Sequence, residues 1–195
     1  MDILQKYKAF AMLGKPGSGK GTQSALLSKV TGYDTYSSGQ RFRDLAAEGG
    51  PLGERIGNVL DNGGLMPYWF ASFVFEEKAL YTHSDKGIIF DGVARKAPEA
   101  ELFHDVMTWL GRPYVAFYID VSDEEAIHRL LKRKDIQHRK DDEEAAIKTR
   151  FDNFQKEVLP AVEIFRKHGT LLEVNGEQSA EQVFEEIIEK LGSQV

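Results

Sequence analysis

The sequence predicts a single α/β domain in which a parallel sheet lies between layers of helices. One observation behind this prediction is that short apolar runs, typical of buried strands, alternate with longer segments whose apolar residues recur at helical spacing. The other is size, because 195 residues of which 42% are hydrophobic are enough to bury one core. Neither an internal repeat nor a long Gly-, Ser- or Pro-rich linker divides the sequence, so we expect no second domain.

Four apolar runs are the predicted strands. They occupy residues 7–13, 87–91, 114–119 and 170–174. Helical spacing of apolar residues is clearest over 180–191, and a longer apolar stripe over 147–165 contains Pro160, where we expect a kink. Because parallel sheets bind ligands beyond the carboxyl ends of their strands, we expect the chemistry to follow Leu13 and to involve Asp91.

Composition excludes several classes of function. The 25 Lys+Arg and 31 Asp+Glu residues give a net charge of −6, which argues against nucleic acid or an anionic membrane as the main partner. The sequence has no Cys, which excludes disulfides, thiolate catalysis and Cys-bound zinc, and its 5 His residues show no ligand spacing. Residues 1–4 lack a basic segment, the apolar run at 9–13 is too short for a signal segment or a membrane span, and no later apolar stretch is long enough, so we expect a cytoplasmic protein.

A glycine-rich segment follows the first predicted strand and opens a helix. Residues 14–22 read G-K-P-G-S-G-K-G-T. Glycines let backbone N–H groups surround a phosphate, the helix N-terminus adds the positive end of its dipole, and Lys20 is positioned to reach the β- and γ-phosphates. The general pattern G-x-x-x-x-G-K-[ST] is met up to Lys20, but Gly21 then precedes Thr22.

This segment closely resembles the phosphate loop of adenylate kinases and related nucleoside monophosphate kinases, in which G-K-G-T is the usual form. The resemblance continues along the whole chain and implies a P-loop protein with three α/β/α layers. It implies a core of residues 1–37, 67–134 and 141–195, a small helical monophosphate-binding insert at 38–66 and a short lid at 135–140. The ATP-binding residues that it implies are Gly14, Gly17, Ser18, Gly19, Lys20, Gly21, Thr22, Arg129 and Arg133.

The acceptor side resembles the family in three segments. Residues 37–43 resemble the start of the insert, residues 63–67 resemble its G-x-L-x-P end, and residues 89–100 resemble L-D-G-F-P-R-x-x-x-Q-A. The acceptor-binding residues implied are Ser38, Arg43, Met66, Gly92, Arg95 and Glu99. Asp91 is implied to hold Mg²⁺ through water, which suits a cation that prefers few carboxylates together with water and phosphate oxygens.

The donor helix and lid resemble the family's arginine pattern. Arg129 and Arg133 are four residues apart and match the pair that lies over the donor base and on its phosphates. Arg139 and Arg150 are implied to clamp the transferring phosphoryl group, with Asp141 and Asp142 orienting them. The catalytic residues implied are therefore Lys20, Arg95, Arg133, Arg139 and Arg150.

Three positions depart from the family pattern. Glu99 stands where adenylate kinases carry a Gln that reads adenine, and an ionised carboxylate only accepts hydrogen bonds. Val93-Ala94 replaces Phe-Pro, and Gln40 replaces an Asp. The resemblance implies transfer of the γ-phosphoryl group of Mg-ATP to a nucleoside monophosphate by a monomer, with AMP as the expected acceptor. Glu99 leaves GMP or CMP open as the acceptor, and the other departures leave open a nucleotide-binding protein without turnover.

Overall fold

One parallel sheet of five strands organises the chain. In a computed structural model, which describes residues 6–137 and 143–193, the strands lie in the order β2-β3-β1-β4-β5. They are β1 (Ala9–Leu13), β2 (Asp34–Ser37), β3 (Ile88–Asp91), β4 (Tyr114–Asp120) and β5 (Leu171–Asn175). All neighbouring strands are parallel, which confirms the predicted α/β class.

The four predicted strands are confirmed, with ends within two residues of those expected. The sequence analysis missed β2, whose four residues are D-T-Y-S. This strand pairs only with β3 at the edge of the sheet and is partly exposed, so it has none of the continuous apolar character that marks a buried strand.

Nine α-helices surround the sheet in the described part of the chain. They are α1 (Lys20–Thr31), α2 (Ser38–Ala47), α3 (Gly50–Asp61), α4 (Tyr68–Tyr81), α5 (Ala97–Trp109), α6 (Asp123–Gln137), α7 (Glu144–Asn153), α8 (Leu159–Lys167) and α9 (Ala180–Gly192). The predicted C-terminal helix is confirmed as α9, which begins with a capping box between Ser179 and Gln182. No helix in the ranges described is long and apolar enough to span a membrane.

The apolar stripe over 147–165 forms α7 and α8, with a wider turn where we expected a kink at Pro160. Residues Phe154–Val158 form a π-helical turn, and the Leu159 N–H donates to the Phe154 carbonyl oxygen. Proline has no N–H to continue the α-helical pattern, and here it lies in the first turn of α8, where no such bond is needed. The stripe therefore stays buried through the irregular turn.

Alternating residues along β1 divide the core between the two faces of the sheet. Phe10 and Met12 pack in one cluster with side chains of α9, whereas Ala11 and Leu13 belong to a second cluster with Phe103 of α5. A third, smaller cluster joins α2, α3 and α4 around Phe42, Ile56, Met66 and Val74. The segment predicted as a monophosphate-binding insert thus packs around a small core of its own beside the sheet.

Candidate active site

An open cleft lies at the carboxyl ends of the central strands. Because Met12 of β1 pairs with Asp91 of β3, the glycine-rich loop after β1 and the end of β3 are brought side by side. The cleft has a volume of about 670 Å³ and is lined by residues of this loop, the insert, α6 and α7. The predicted site residues that line it are Gly14, Gly17, Gly19, Lys20, Gly21, Thr22, Arg43, Asp91, Gly92, Arg95, Arg129, Arg133 and Arg150.

The glycine-rich loop lies directly against β4 and α6. Gly14 and Gly17 have φ values of +142° and +85°, which side chains rarely tolerate. A Cβ atom on Gly17 would lie 2.5 Å from the Ala126 carbonyl oxygen, and one on Gly14 would lie 2.6 Å from that of Ile119. The glycines are thus required both for the turn and for the close packing of the loop.

Lys20 is folded back into this loop. Its Nζ donates to the carbonyl oxygens of Gly14 and Lys15, each at 2.8 Å, and lies 3.3 Å from the Ser18 hydroxyl. Burial is the main cause that lowers the pKa of Lys20 to about 7; Asp91 opposes the shift, and the positive charges of Arg95, Arg150 and Arg133 add to it. A phosphate bound here would meet a concentrated positive field.

This shifted pKa predicts that ATP binding takes up a proton. In free protein at about pH 8, Lys20 is mostly neutral, because its pKa is about 7. A bound triphosphate favours the ammonium form, so we expect uptake of about half a proton or more at about pH 8 and little at about pH 6. Calorimetry of ATP binding in buffers of different ionisation enthalpy measures this uptake.

The Lys20→Met variant is the control for this measurement, because it removes the titrating group and with it the uptake. If ATP binding to the unsubstituted protein takes up no protons at either pH value, the prediction is contradicted.

An ion pair that sequence analysis missed anchors the loop to α6. The Lys15 Nζ lies 2.7 Å from the Asp123 carboxylate and 5.6 Å from the centre of the Phe154 ring, and the Lys15 side chain is only 9% exposed. Lys15 and Asp123 are 108 residues apart, so no local pattern signals their contact.

Replacement of Asp123 with Asn is expected to lower the free energy of unfolding by about 1–2 kcal/mol, because it leaves the buried Lys15 ammonium without its carboxylate. Denaturant unfolding measures the change. Glu124→Gln, an exposed substitution in the same helical turn, is the matched control because it removes a similar helix-dipole interaction without breaking an ion pair to Lys15. Equal losses in both variants would refute a role for the pair.

The arginines predicted to bind the donor or to clamp the transferring phosphoryl group come from two helices. On α6, Arg129 Nε donates to Glu125 at 2.6 Å and Nη2 donates to the Gly176 carbonyl oxygen at 2.9 Å, which orients its guanidinium at the edge of the cleft. Arg133 lies one turn further along α6, and Arg150 reaches the cleft from α7. The predicted residues Arg139, Asp141 and Asp142 lie outside the described residues.

Gln40 explains how Arg43 is held. The Gln40 Oε1 accepts from Arg43 Nε and Nη2 at 3.1 and 2.9 Å, and its amide donates to Asp44 at 2.8 Å. The departure at Gln40 therefore retains an acceptor for the arginine.

The neighbouring residues Ser37 and Ser38 have different roles. The Ser37 side chain caps α2, whereas the Ser38 hydroxyl donates to the Gly92 carbonyl oxygen at 2.5 Å.

The backbone after β3 differs from what the family's proline would permit. Ala94 has a φ of +53°, the only positive value of a non-glycine residue in the described ranges. Proline is restricted to φ near −65° and cannot adopt this conformation. The Phe-Pro to Val93-Ala94 change thus alters the chain path next to Arg95.

Glu99 lies in a smaller pocket beside the main cleft. This pocket, of about 50 Å³, has apolar walls that include Phe42, Met66 and Val93. Glu99 is buried, and its Oε2 accepts from the Arg95 backbone N–H at 2.8 Å. Burial raises the pKa of Glu99, an effect that this hydrogen bond and the nearby Lys96 and Arg95 charges partly offset.

Asp91 has the placement that a hydrated Mg²⁺ needs. It ends β3, lines the cleft, and lies 3.8 Å from a Cβ atom built on Gly21. Within the described residues there is no group of three or more His, Cys, Asp or Glu that could hold a metal ion by itself. One carboxylate beside a phosphate loop fits Mg²⁺, which takes its remaining ligands from water and phosphate oxygens.

Comparison with known proteins agrees with this arrangement. Residues 12–170 match the family model for adenylate kinase. The chain is 30% identical over 185 residues to human adenylate kinase isoenzyme 1, covering 94% of each chain. It is 32% identical over 194 residues to adenylate kinase from Thermus thermophilus, covering 98% of this chain and all of that protein. These similarities show that the chain belongs to the adenylate kinase family, a family of phosphotransferases.

Proposed function

We propose that this protein transfers the γ-phosphoryl group of ATP to AMP, giving two ADP. The observation that carries the proposal is the convergence of Lys20 from the phosphate loop, Arg95 from the end of β3, Arg133 from α6 and Arg150 from α7 on one cleft. Phosphoryl transfer needs positioning and positive charge more than a covalent nucleophile, and this cleft supplies both.

The donor nucleotide would occupy the part of the cleft next to the phosphate loop. Backbone N–H groups of residues 17–22, which include the N-terminus of α1, would hold its phosphates, with Lys20 on the β- and γ-phosphates. Arg129, oriented by Glu125, would lie over the donor base, where a planar guanidinium stacks well. Arg133 and Arg150 would neutralise charge on the transferring group, with Arg139 of the lid as their predicted third member.

The acceptor would lie on the insert side of the same cleft. Arg43 and Arg95 would bind its phosphate, and its base would enter the pocket lined by Met66 and Glu99. Ser38 and Gly92 would close the pocket wall through their mutual hydrogen bond.

We favour AMP because of how Glu99 is already bonded. Guanine presents two neighbouring N–H donors that suit both oxygens of a carboxylate, whereas adenine presents a single amino group. Since the Arg95 N–H already takes up part of the acceptor capacity of Oε2, a base with one donor makes the smaller demand on the Glu99 carboxylate. The same bonding leaves CMP as an alternative through its own amino group, and GMP as the less suited one.

Mg²⁺ is the metal that this site suits. Asp91 would hold it through water next to the phosphate loop. When bound, it would neutralise phosphate charge during transfer. The residues of the chain would supply orientation and the remaining positive charge.

A coupled assay with Mg-ATP and AMP, GMP, CMP or UMP tests the proposal. We expect kcat/KM for AMP to exceed that for each other acceptor by at least about tenfold. Higher kcat/KM with GMP or CMP would favour the alternative acceptor. ATP binding without transfer to any monophosphate would support a nucleotide-binding protein without turnover. We also propose that the protein acts as a monomer in the cytoplasm, and its mass in solution tests the first of these expectations.

A further inference from the structure

A buried serine in the acceptor-base pocket has no hydrogen-bond partner in the described part of the chain. Ser72 lies in α4, is 6% exposed, and its Oγ is both inaccessible and unpartnered. It lines the same pocket as Glu99 and Met66. The sequence analysis did not single it out, because a serine inside a helix carries no motif.

The unpartnered hydroxyl is unusual for its position. Serine hydroxyls inside helices usually donate to the carbonyl oxygen four residues earlier, and buried polar atoms are nearly always paired. The residue that directly follows α4 shows this pattern, because the Thr82 hydroxyl donates to the Lys78 carbonyl oxygen at 2.7 Å. A hydroxyl that is left unpaired in the wall of a ligand pocket would gain a partner from the ligand once rotation about its Cα–Cβ bond turns it toward the pocket.

Because Glu99 stands where the family has a glutamine, binding of adenine would require a hydrogen-bond donor from another residue. The edge of adenine pairs an amino donor with the acceptor N1, and a glutamine amide can satisfy both. An ionised carboxylate accepts from the amino group but offers nothing to N1. A second group with a hydrogen to donate is therefore required on the same side of the pocket.

We propose that Ser72 and Glu99 read the acceptor base as a pair, the carboxylate accepting from the 6-amino group of adenine and the Ser72 hydroxyl donating to N1. This inference rests on the proposed function. It makes Ser72 a specificity-determining residue and explains how Glu99 is compatible with adenine.

The test compares AMP with 1-deaza-AMP, in which a C–H group replaces N1. For the unsubstituted protein we expect kcat/KM to be about tenfold lower with 1-deaza-AMP. Ser72→Ala is expected to lower kcat/KM for AMP by a similar factor, to leave KM for ATP unchanged, and to have no further effect with 1-deaza-AMP. Ser72→Thr, which keeps a hydroxyl, is expected to retain more AMP activity than Ser72→Ala.

Repeating the Ser72 substitution in Glu99→Gln protein distinguishes a contact of Ser72 with the base from a structural role of this serine. In Glu99→Gln protein the amide donates to N1 by itself, so Ser72→Ala is expected to cost less than about twofold there. Ser84→Ala, an exposed substitution in a turn, is the control for loss of a hydroxyl elsewhere. Thermal unfolding of each variant checks that it folds, and removing an unpaired buried hydroxyl is expected not to lower its midpoint.

The outcomes are distinct. Equal losses for Ser72→Ala with AMP and with 1-deaza-AMP, or equal losses in the Glu99 and Gln backgrounds, would overturn the pairing. A preference for GMP that depends on Ser72 would overturn the assignment to adenine. If the unsubstituted protein transfers the phosphoryl group to none of the monophosphates, the proposed function itself is refuted. The comparisons of Ser72 variants do not test that function.

Discussion

Replacement of Lys20 with Met is expected to lower kcat about a thousandfold. The glycine-rich loop holds the Lys20 Nζ at its centre, bonded to two loop carbonyl oxygens at 2.8 Å each. The amine is therefore positioned before the nucleotide arrives, and a bound triphosphate favours its charged form. Methionine retains the length of the side chain but provides neither charge nor donors. Initial rates with saturating ATP and AMP measure the loss.

The matched control for this variant is Lys29→Met. Lys29 lies on the same helix, in its last turn, and is exposed, so its replacement is expected to change kcat less than twofold. Because burial makes the Lys20 ammonium costly, Lys20→Met should fold at least as well as the unsubstituted protein near neutral pH. A kcat within tenfold of normal would remove Lys20 from the transfer step.

Replacement of Arg150 with Lys is expected to lower kcat about a hundredfold and to change KM for ATP little. Arg150 acts electrostatically on Lys20 and lines the cleft, so its guanidinium is close to where the γ-phosphoryl group would move. Lysine keeps the charge but replaces the planar fork, which can bind two oxygens at once, with a single point donor. Steady-state kinetics with both substrates varied measures the split between kcat and KM.

Arg55→Lys is the matched control for this substitution. Arg55 is exposed on α3, outside the residues lining the cleft, and its replacement is expected to leave kcat unchanged. If Arg150→Lys raised KM for both nucleotides at constant kcat, Arg150 would bind substrates without stabilising the transferring group.

Local pattern predicted most of the sheet, because strands buried on both faces are apolar throughout. It missed β2, where an edge position and four mostly polar residues leave no such signal. The expected kink at Pro160 was an inference from proline alone. In the structure, a π-helical turn forms before the proline, and this turn keeps Phe154 and Val158 in the core.

In the candidate site too, the sequence predicted some features, and others became visible only in the structure. Residue types and spacing predicted the phosphate loop, and the resemblance to the family implied the paired arginines and Asp91, because contiguous motifs carry those positions. Contacts between distant segments carry no such motif, and the Lys15–Asp123 pair is one of them. Ala94 is another case, since its left-handed backbone follows from the surrounding fold rather than from any preference of alanine.

By itself, the sequence predicted an α/β phosphate-binding protein that resembles the adenylate kinase family, with a glutamate at the position expected to contact the acceptor base. Only the tertiary structure decided which groups surround that glutamate. Its Oε2 is bonded to the Arg95 N–H, and an unpaired Ser72 hydroxyl lines the same pocket from another helix. Hydrogen-bond capacity depends on which partners are already present, and those partners are known only once distant segments of the chain are folded together.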